Sequence, residues 1–218
     1  MVATFKALSA LLGYPTPELV AALDEIEAAV GEPSLRPLLD ELRTGDLYDL
    51  QAHYVELFDR SRRLSLNLFE HVHGESRDRG QAMVDLAALY AKHGLAPATG
   101  ELPDYLPLFL EFLSTRPLGE AQALLADAAH ILAALHERLA RRGSAYASVL
   151  AVLATLAGQG DGVTATDDAP EFDDLRALDA AWEEAAVTFG PGDIGGCPAE
   201  RLGTRLRAAG RDVRLATV

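Results

Sequence analysis

PLGEAQALLADAAHILAALHERLARR, residues Pro117 to Arg142, decides the fold class. Its apolar positions Ala121, Leu124, Leu125, Ala128, Ile131, Leu132, Leu135 and Leu139 recur at three- and four-residue spacing. Side chains at that spacing share one face of an α-helix, whereas a half-buried strand would alternate. Pro117 suits a first helical turn and Gly143 a stop, so the stretch reads as one long helix.

The same period extends in both directions. Toward the N-terminus, Leu8, Leu11 and Leu12 form a stripe that stops at Gly13-Tyr14-Pro15. Thr16 caps the next helix, with Pro17 at its first position and Leu19, Val20, Leu23, Ile26 and Val30 inward. Ser34 opens a helix through Leu38, Leu39 and Leu42, and Leu47 to Phe58 turns Leu50, Tyr54, Leu57 and Phe58 inward. The pattern weakens between Asp59 and Glu75. Ser76 then reads as an N-cap, and a helix with Met83, Leu86 and Tyr90 on its stripe runs to about His93. Leu95 to Pro103 reads as a loop, followed by a helix through Leu106, Phe109, Leu110 and Leu113 to Thr115. Tyr146 to Ala157 is one more apolar helix. The expected fold is all-α, a single domain of about eight helices over residues 1–157.

Residues 158–190 read as a linker rich in Gly, Asp and Thr, followed by a final helix around Leu175, Leu178 and Trp182. Residues 191–218 read as a Gly/Pro-rich tail that ends basic, with Arg201, Arg205, Arg207, Arg211 and Arg214.

Composition bounds the function. With 49% hydrophobic but only 6% aromatic residues, the core is built from Leu, Ala and Val. The 33 acidic against 19 basic residues give a net charge of -14, which repels a phosphate backbone and favours a basic peptide as partner. A single cysteine, Cys197, excludes an intrachain disulfide and any multi-cysteine metal site. No stretch approaches the roughly 18 apolar residues of a membrane span. The first residues carry no basic-then-apolar export signal, so a cytoplasmic protein without stable membrane association is expected.

Enzymatic machinery is not visible. Gly158, Gly160 and Gly162 lack the preceding strand and the Lys-Ser/Thr of a phosphate loop, and no Gly-x-Ser-x-Gly elbow occurs. No catalytic residue, resident metal or cofactor is expected.

Two polar clusters stand out. The first, Leu68 to Gln81, reads LFEHVHGESRDRGQ. His71 and His73 there invite a metal-site reading, completed by Glu70 or Glu75, although His-Glu-x-x-His is missing. The second is Glu101-Leu102-Pro103-Asp104-Tyr105-Leu106, followed by Glu111-Phe112-Leu113, in which Asp104 also reads as the cap of a helix starting at Tyr105. Both set carboxylates beside apolar side chains at helix mouths, which suits a peptide carrying arginines and an apolar stretch.

At these residues the sequence resembles the NarJ family, the nitrate reductase molybdenum cofactor assembly chaperones of the wider TorD-like group. The similarity runs from LSALLGYP at Leu8–Pro15 to Trp182-Glu183-Glu184 and Val187-Thr188-Phe189-Gly190. Its most specific portion is HYVELFDR at His53–Arg60, then Ser65-Leu66-Asn67 running into Leu68 to Leu86. Glu101 to Leu113 looks like the acidic signature of the wider group, with Tyr105 where that group often has histidine, so no imidazole role is carried over.

The resemblance implies a cytoplasmic helical chaperone that is no subunit of the final enzyme. It implies binding to the N-terminal segment of the nitrate reductase catalytic (alpha) subunit, held ready for molybdenum cofactor and iron–sulfur insertion before membrane docking. The expected client-binding residues are Asp59, Phe69, Glu70, His71, Glu75, Asp78, Met83, Asp85, Tyr90, Glu101, Asp104, Tyr105, Phe109 and Glu111, with Leu86 among the groove walls. A TorD-like chaperone for another molybdoenzyme, and a small helical metalloenzyme using His71 and His73, are the alternative readings.

Overall fold

Helix termini in this chain follow local chemistry, and helix directions follow burial. The computed structural model describes residues 2–60, 62–73, 78–97 and 100–158. The chain divides into two units, Met1–Asp168 and Ala169–Val218, and every described residue belongs to the first. The expected final helix and the basic tail lie outside the described residues.

Eleven α-helices follow in order among the described residues: α1 Val2–Leu11, α2 Pro17–Ala21, α3 Leu23–Val30, α4 Arg36–Thr44, α5 Leu47–Phe58, α6 Leu68–His73, α7 Asp78–Lys92, α8 Leu106–Ser114, α9 Leu118–Asp127, α10 Ala129–Arg141 and α11 Ala147–Leu156. The all-helical expectation holds, with more and shorter helices than the periodicity indicates. Two long stripes are broken. Ala22 separates α2 from α3 at φ -91° and ψ 0°, and Ala128 separates α9 from α10 at φ -93° and ψ 0°. The second break bends the path by 66°. Neither position is Gly or Pro, so nothing local announces the break. The bend keeps Ala121, Leu125, Ala128, Ile131, Leu132, Leu135 and Leu139 all buried, α9 and α10 both packing on α11. A straight rod would lift one end of that stripe off the core.

Of the predicted caps, Thr16 recurs. Thr16 Oγ1 accepts from the Leu19 amide at 3.2 Å, and Pro17 opens α2. Ser34 instead sits in a 3-10 turn, Pro33–Leu35, and α4 starts at Arg36. Asp46 caps α5 through the Tyr48 and Asp49 amides at 2.9 and 3.4 Å. Gly45 just before it must be glycine, because a Cβ there would meet Leu50 Cδ2 and the Glu41 carbonyl oxygen at 2.9 Å. Ser76 lies outside the described residues.

The core is a continuous Leu-rich cluster in which α8 packs along α1 and α10 along α11. Ser9 Oγ donates to the Pro107 carbonyl at 2.6 Å and fixes the α1–α8 contact. Aromatic residues are concentrated around α5, where Tyr54 packs at 4.8 Å on Phe58 and at 5.6 Å edge-on with Tyr14, and Phe58 meets Tyr146 at 5.2 Å. No single described helix is long and apolar enough to cross a membrane. The α9–α10 pair has that length and composition only when taken together across its bend.

Leu110 on α8 is fully buried and Val84 on α7 is 61% exposed. Leu110→Ala should therefore cost about 2–5 kcal/mol, against about 0.5 kcal/mol or less for Val84→Ala. Urea unfolding followed by circular dichroism measures both, and equal losses would contradict this assignment of the core.

Candidate functional site

A short antiparallel bridge organises the region where the two polar clusters meet. Asn67 and Tyr105 pair across it, the Leu68 amide donates to the Asp104 carbonyl at 3.0 Å, and the Leu106 amide donates to the Leu66 carbonyl at 2.8 Å. The Asp104 carboxylate reaches across the bridge, where Oδ2 accepts from the Phe69 amide at 3.0 Å. Asp104 therefore satisfies the first turn of α6, and Tyr105, its expected beneficiary, is the residue before α8 with no side-chain cap bond. This corrects the reading of Asp104 as the cap of its own helix. The pairing of two distant segments made the difference, because it turns the carboxylate toward a helix start 35 residues upstream.

Asp104 is fully buried. Burial pushes its carboxyl above the usual carboxylate range, opposed by the Phe69 amide and the Arg79 charge. Its Oδ1 is buried with no hydrogen-bond partner among the described residues. Arg79 Nη2 donates to Glu70 Oε1 at 3.1 Å, tying α7 to α6.

Tyrosines complete the frame. Tyr90 donates to the Pro103 carbonyl at 2.7 Å, anchoring the end of α7 to the segment before the bridge. Tyr54 donates to the Leu12 carbonyl at 2.9 Å, which uses its only proton, so at 3.0 Å Tyr105 is the donor to the Tyr54 oxygen. Burial raises the pKa of both hydroxyls, so both stay protonated. His71 lies 2.8 Å through Nε2 from the Ser65 carbonyl, which only accepts, so Nε2 carries the proton. Burial also lowers its pKa and favours the neutral ring.

The expected residues separate into groups. Phe69, Glu70, His71, Asp104 and Tyr105 come together around the bridge and α6. Tyr90 and Phe109 are buried in the core at 2% and 6% exposure. Met83 and Leu86 are half-buried on α7, while Asp59, Asp85 and Glu101 are exposed. Gln81 Nε2 donates to Asp85 at 2.8 Å. Glu111 turns elsewhere. It pairs with Lys6 at 3.2 Å and lines a separate open hollow of about 260 Å³ with Tyr90, Leu95, Leu108 and Phe112. Glu75 lies outside the described residues, and of Asp78 only its place at the start of α7 is described. Among the described residues no three His, Cys, Asp or Glu side chains converge as a metal site.

Three features escape sequence reading. Arg79 pairs with Glu70 and its charge acts on Asp104, and Tyr54 links Leu12, just past α1, to the bridge. The third is α7 itself. Of its residues from Arg79 to Lys92 only Tyr90, in the last turn, is buried. Met83, Leu86 and Leu89 are half covered, Val84 is 61% exposed, and near them Val72 on α6 and Leu102 before the bridge are 50% and 44% exposed.

Known proteins give this geometry a context. A family model described as nitrate reductase delta subunit matches residues 23–152. The nitrate reductase molybdenum cofactor assembly chaperone NarJ of Escherichia coli K12 is 47% identical over 200 residues, covering 84% of this chain and 83% of that protein. NarW of the same strain, by name also such a chaperone, is 42% identical over 214 residues, covering 95% of this chain and 93% of its own. A crystal structure described as a redox enzyme maturation protein from Archaeoglobus fulgidus superposes with a TM-score of 0.57 at 23% identity, covering 71% of this chain and 92% of that one, which supports the fold.

The raised pKa of Asp104 sets a pH dependence. A carboxyl whose folded pKa lies above its unfolded value adds stability below the unfolded value, and that contribution is lost as pH rises through the folded pKa. Wild type should therefore lose stability relative to Asp104→Asn as pH rises from the ordinary carboxyl range toward neutrality. Urea titrations of both proteins at about pH 4 and pH 7 test this. A difference that stays constant or moves the other way would show that Asp104 is not held protonation-prone by its burial.

Proposed function

Because the chain belongs to the nitrate reductase delta subunit family, we propose that it is a dedicated assembly chaperone for a respiratory nitrate reductase. It binds the N-terminal segment of the catalytic (alpha) subunit in the cytoplasm. There it supports insertion of the molybdenum cofactor and the iron–sulfur cluster before the subunit docks at the membrane. It carries out no catalysis of its own, as expected of a family whose relatives are named for assembly.

The observation that carries this reading is that α6 and α7 leave apolar side chains half covered or exposed while Asp59, Asp85 and Glu101 also stand exposed. Met83, Val84, Leu86, Val72 and Leu102 offer an apolar surface, and Asp59, Asp85 and Glu101 stand exposed on the same group of elements or beside it. Exposed apolar area on a protein of net charge -14 invites a partner that is both apolar and basic. An amphipathic helix with arginines fits that description. Burial of its apolar face supplies affinity, and the carboxylates speed encounter and set orientation.

Calorimetric titration with a synthetic peptide copying the N-terminus of the host's nitrate reductase catalytic subunit tests the proposal. Binding in the micromolar range or tighter, weakened by salt, is the expected result. Replacing Asp85 and Glu101 together by lysine should weaken it about 3- to 10-fold while leaving the circular dichroism unchanged, since both carboxylates are rim groups. Absence of binding at both low and moderate salt would remove this peptide as the client.

A further inference from the structure

Glu70 and Arg79 form an ion pair beside the buried Asp104, whose carboxyl feels both charges. Arg79 carries five N–H donors, yet among the described residues a single contact, Nη2 to Glu70 Oε1 at 3.1 Å, pairs it with a carboxylate. Among the described residues its Nε, which is buried, finds no acceptor, and Asp104 Oδ1, on a side chain with no exposed surface, finds no donor. A guanidinium between two carboxylates ordinarily uses its fork bidentately. Here Arg79 meets Glu70 through one nitrogen and acts on Asp104 through its charge without bonding to it.

The position of Arg79 is also unfavourable for its own helix. It is the second residue of α7, where the positive end of the helix dipole disfavours a cation. The buried anchor of α7, Tyr90, lies eleven residues away at the other end, so the first turn can shift without uprooting the core.

We infer that Glu70 and Asp104 form an anionic pocket for a guanidinium, which Arg79 fills in cis and from which an arginine of a bound peptide displaces it. The inference rests on the peptide-binding reading above and adds a mechanism to it. Phe69 borders the pocket on α6 and Met83 stands one helical turn beyond Arg79 on α7, so an arginine entering there brings its neighbours onto the apolar face. With Arg79 in place the buried carboxylate is not left bare while no client is bound. Exchange of one guanidinium for another preserves the charge balance and releases the first turn of α7 from α6.

The test uses the full chain with Arg79→Gln, the catalytic-subunit peptide, and a copy of that peptide with every arginine replaced by glutamine. Arg79→Gln should bind the arginine peptide roughly tenfold tighter than wild type, the order expected when a competing charge pair is removed. The gain should vanish with the glutamine peptide and in the Arg79→Gln/Asp104→Asn double variant. Unchanged or weaker binding, or an equal gain with the glutamine peptide, would make Arg79 a structural tie and overturn the inference. Should Arg79→Gln not fold, Arg79→Met carries the same comparison, because it removes the charge and keeps an unbranched stem to pack in its place.

A second titration separates this pocket from the choice of client. Acetyl-arginine amide added to Arg79→Gln should shift the Phe69 amide resonance, whose proton is bonded to Asp104, and should leave it unmoved in wild type. No shift in the variant removes the pocket. A shift without peptide binding in either protein leaves the pocket standing and removes the proposed client.

Discussion

Two acceptors on one residue hold the site together. The carbonyl and the carboxylate of Asp104 take the amides of Leu68 and Phe69, the first two residues of α6. A six-residue helix has too few internal hydrogen bonds to stand alone in water. It exists here because a distant segment supplies the partners that its first turn lacks. The bridge between Asn67 and Tyr105 fixes that segment, and Tyr54 and Tyr90 pin its two sides to α1 and α7. Burying Asp104 costs solvation, which appears as the raised pKa of its carboxyl, and the cap and the nearby Arg79 charge offset part of that cost.

Around this rigid hub the packing is uneven. On one side α1, α8, α10 and α11 contribute fully buried leucines and bury them well. On the other, α7 is tied down by Tyr90 at its last turn and by the Arg79–Glu70 pair near its first, with a half-covered stripe between them. Elements with few buried contacts are the ones that open at low free-energy cost. A protein that must hold and then release another chain benefits from placing its apolar surface on such an element. The excess of 33 acidic over 19 basic residues keeps that surface from self-association by mutual repulsion and gives it a preference among peptides.

The same contrast explains which of the expected residues come together. Phe69, Glu70, His71, Asp104 and Tyr105 were legible as a group because carboxylates beside aromatic residues at helix starts are uncommon and share a chemistry. Tyr90 and Phe109 carry the same sequence signal but lie on the inward face, as the stripes they belong to require. Glu111 sits on α8 close in sequence to Tyr105, yet it pairs with Lys6 of α1. Proximity along a helix says little about which neighbour a long side chain meets.

By itself the sequence determined the all-helical class, most helix termini and the core leucines, since a 3.6-residue period, Thr16 and Pro17 act within a turn or two of where they stand. Tertiary structure alone decided the breaks at Ala22 and Ala128, the existence of α6, and the direction in which Asp104 points. Each of those rests on contacts between segments far apart in the chain. Burial of a curved stripe and the pairing of Leu66–Leu68 with Asp104–Leu106 outweigh local preference, and no local pattern encodes either.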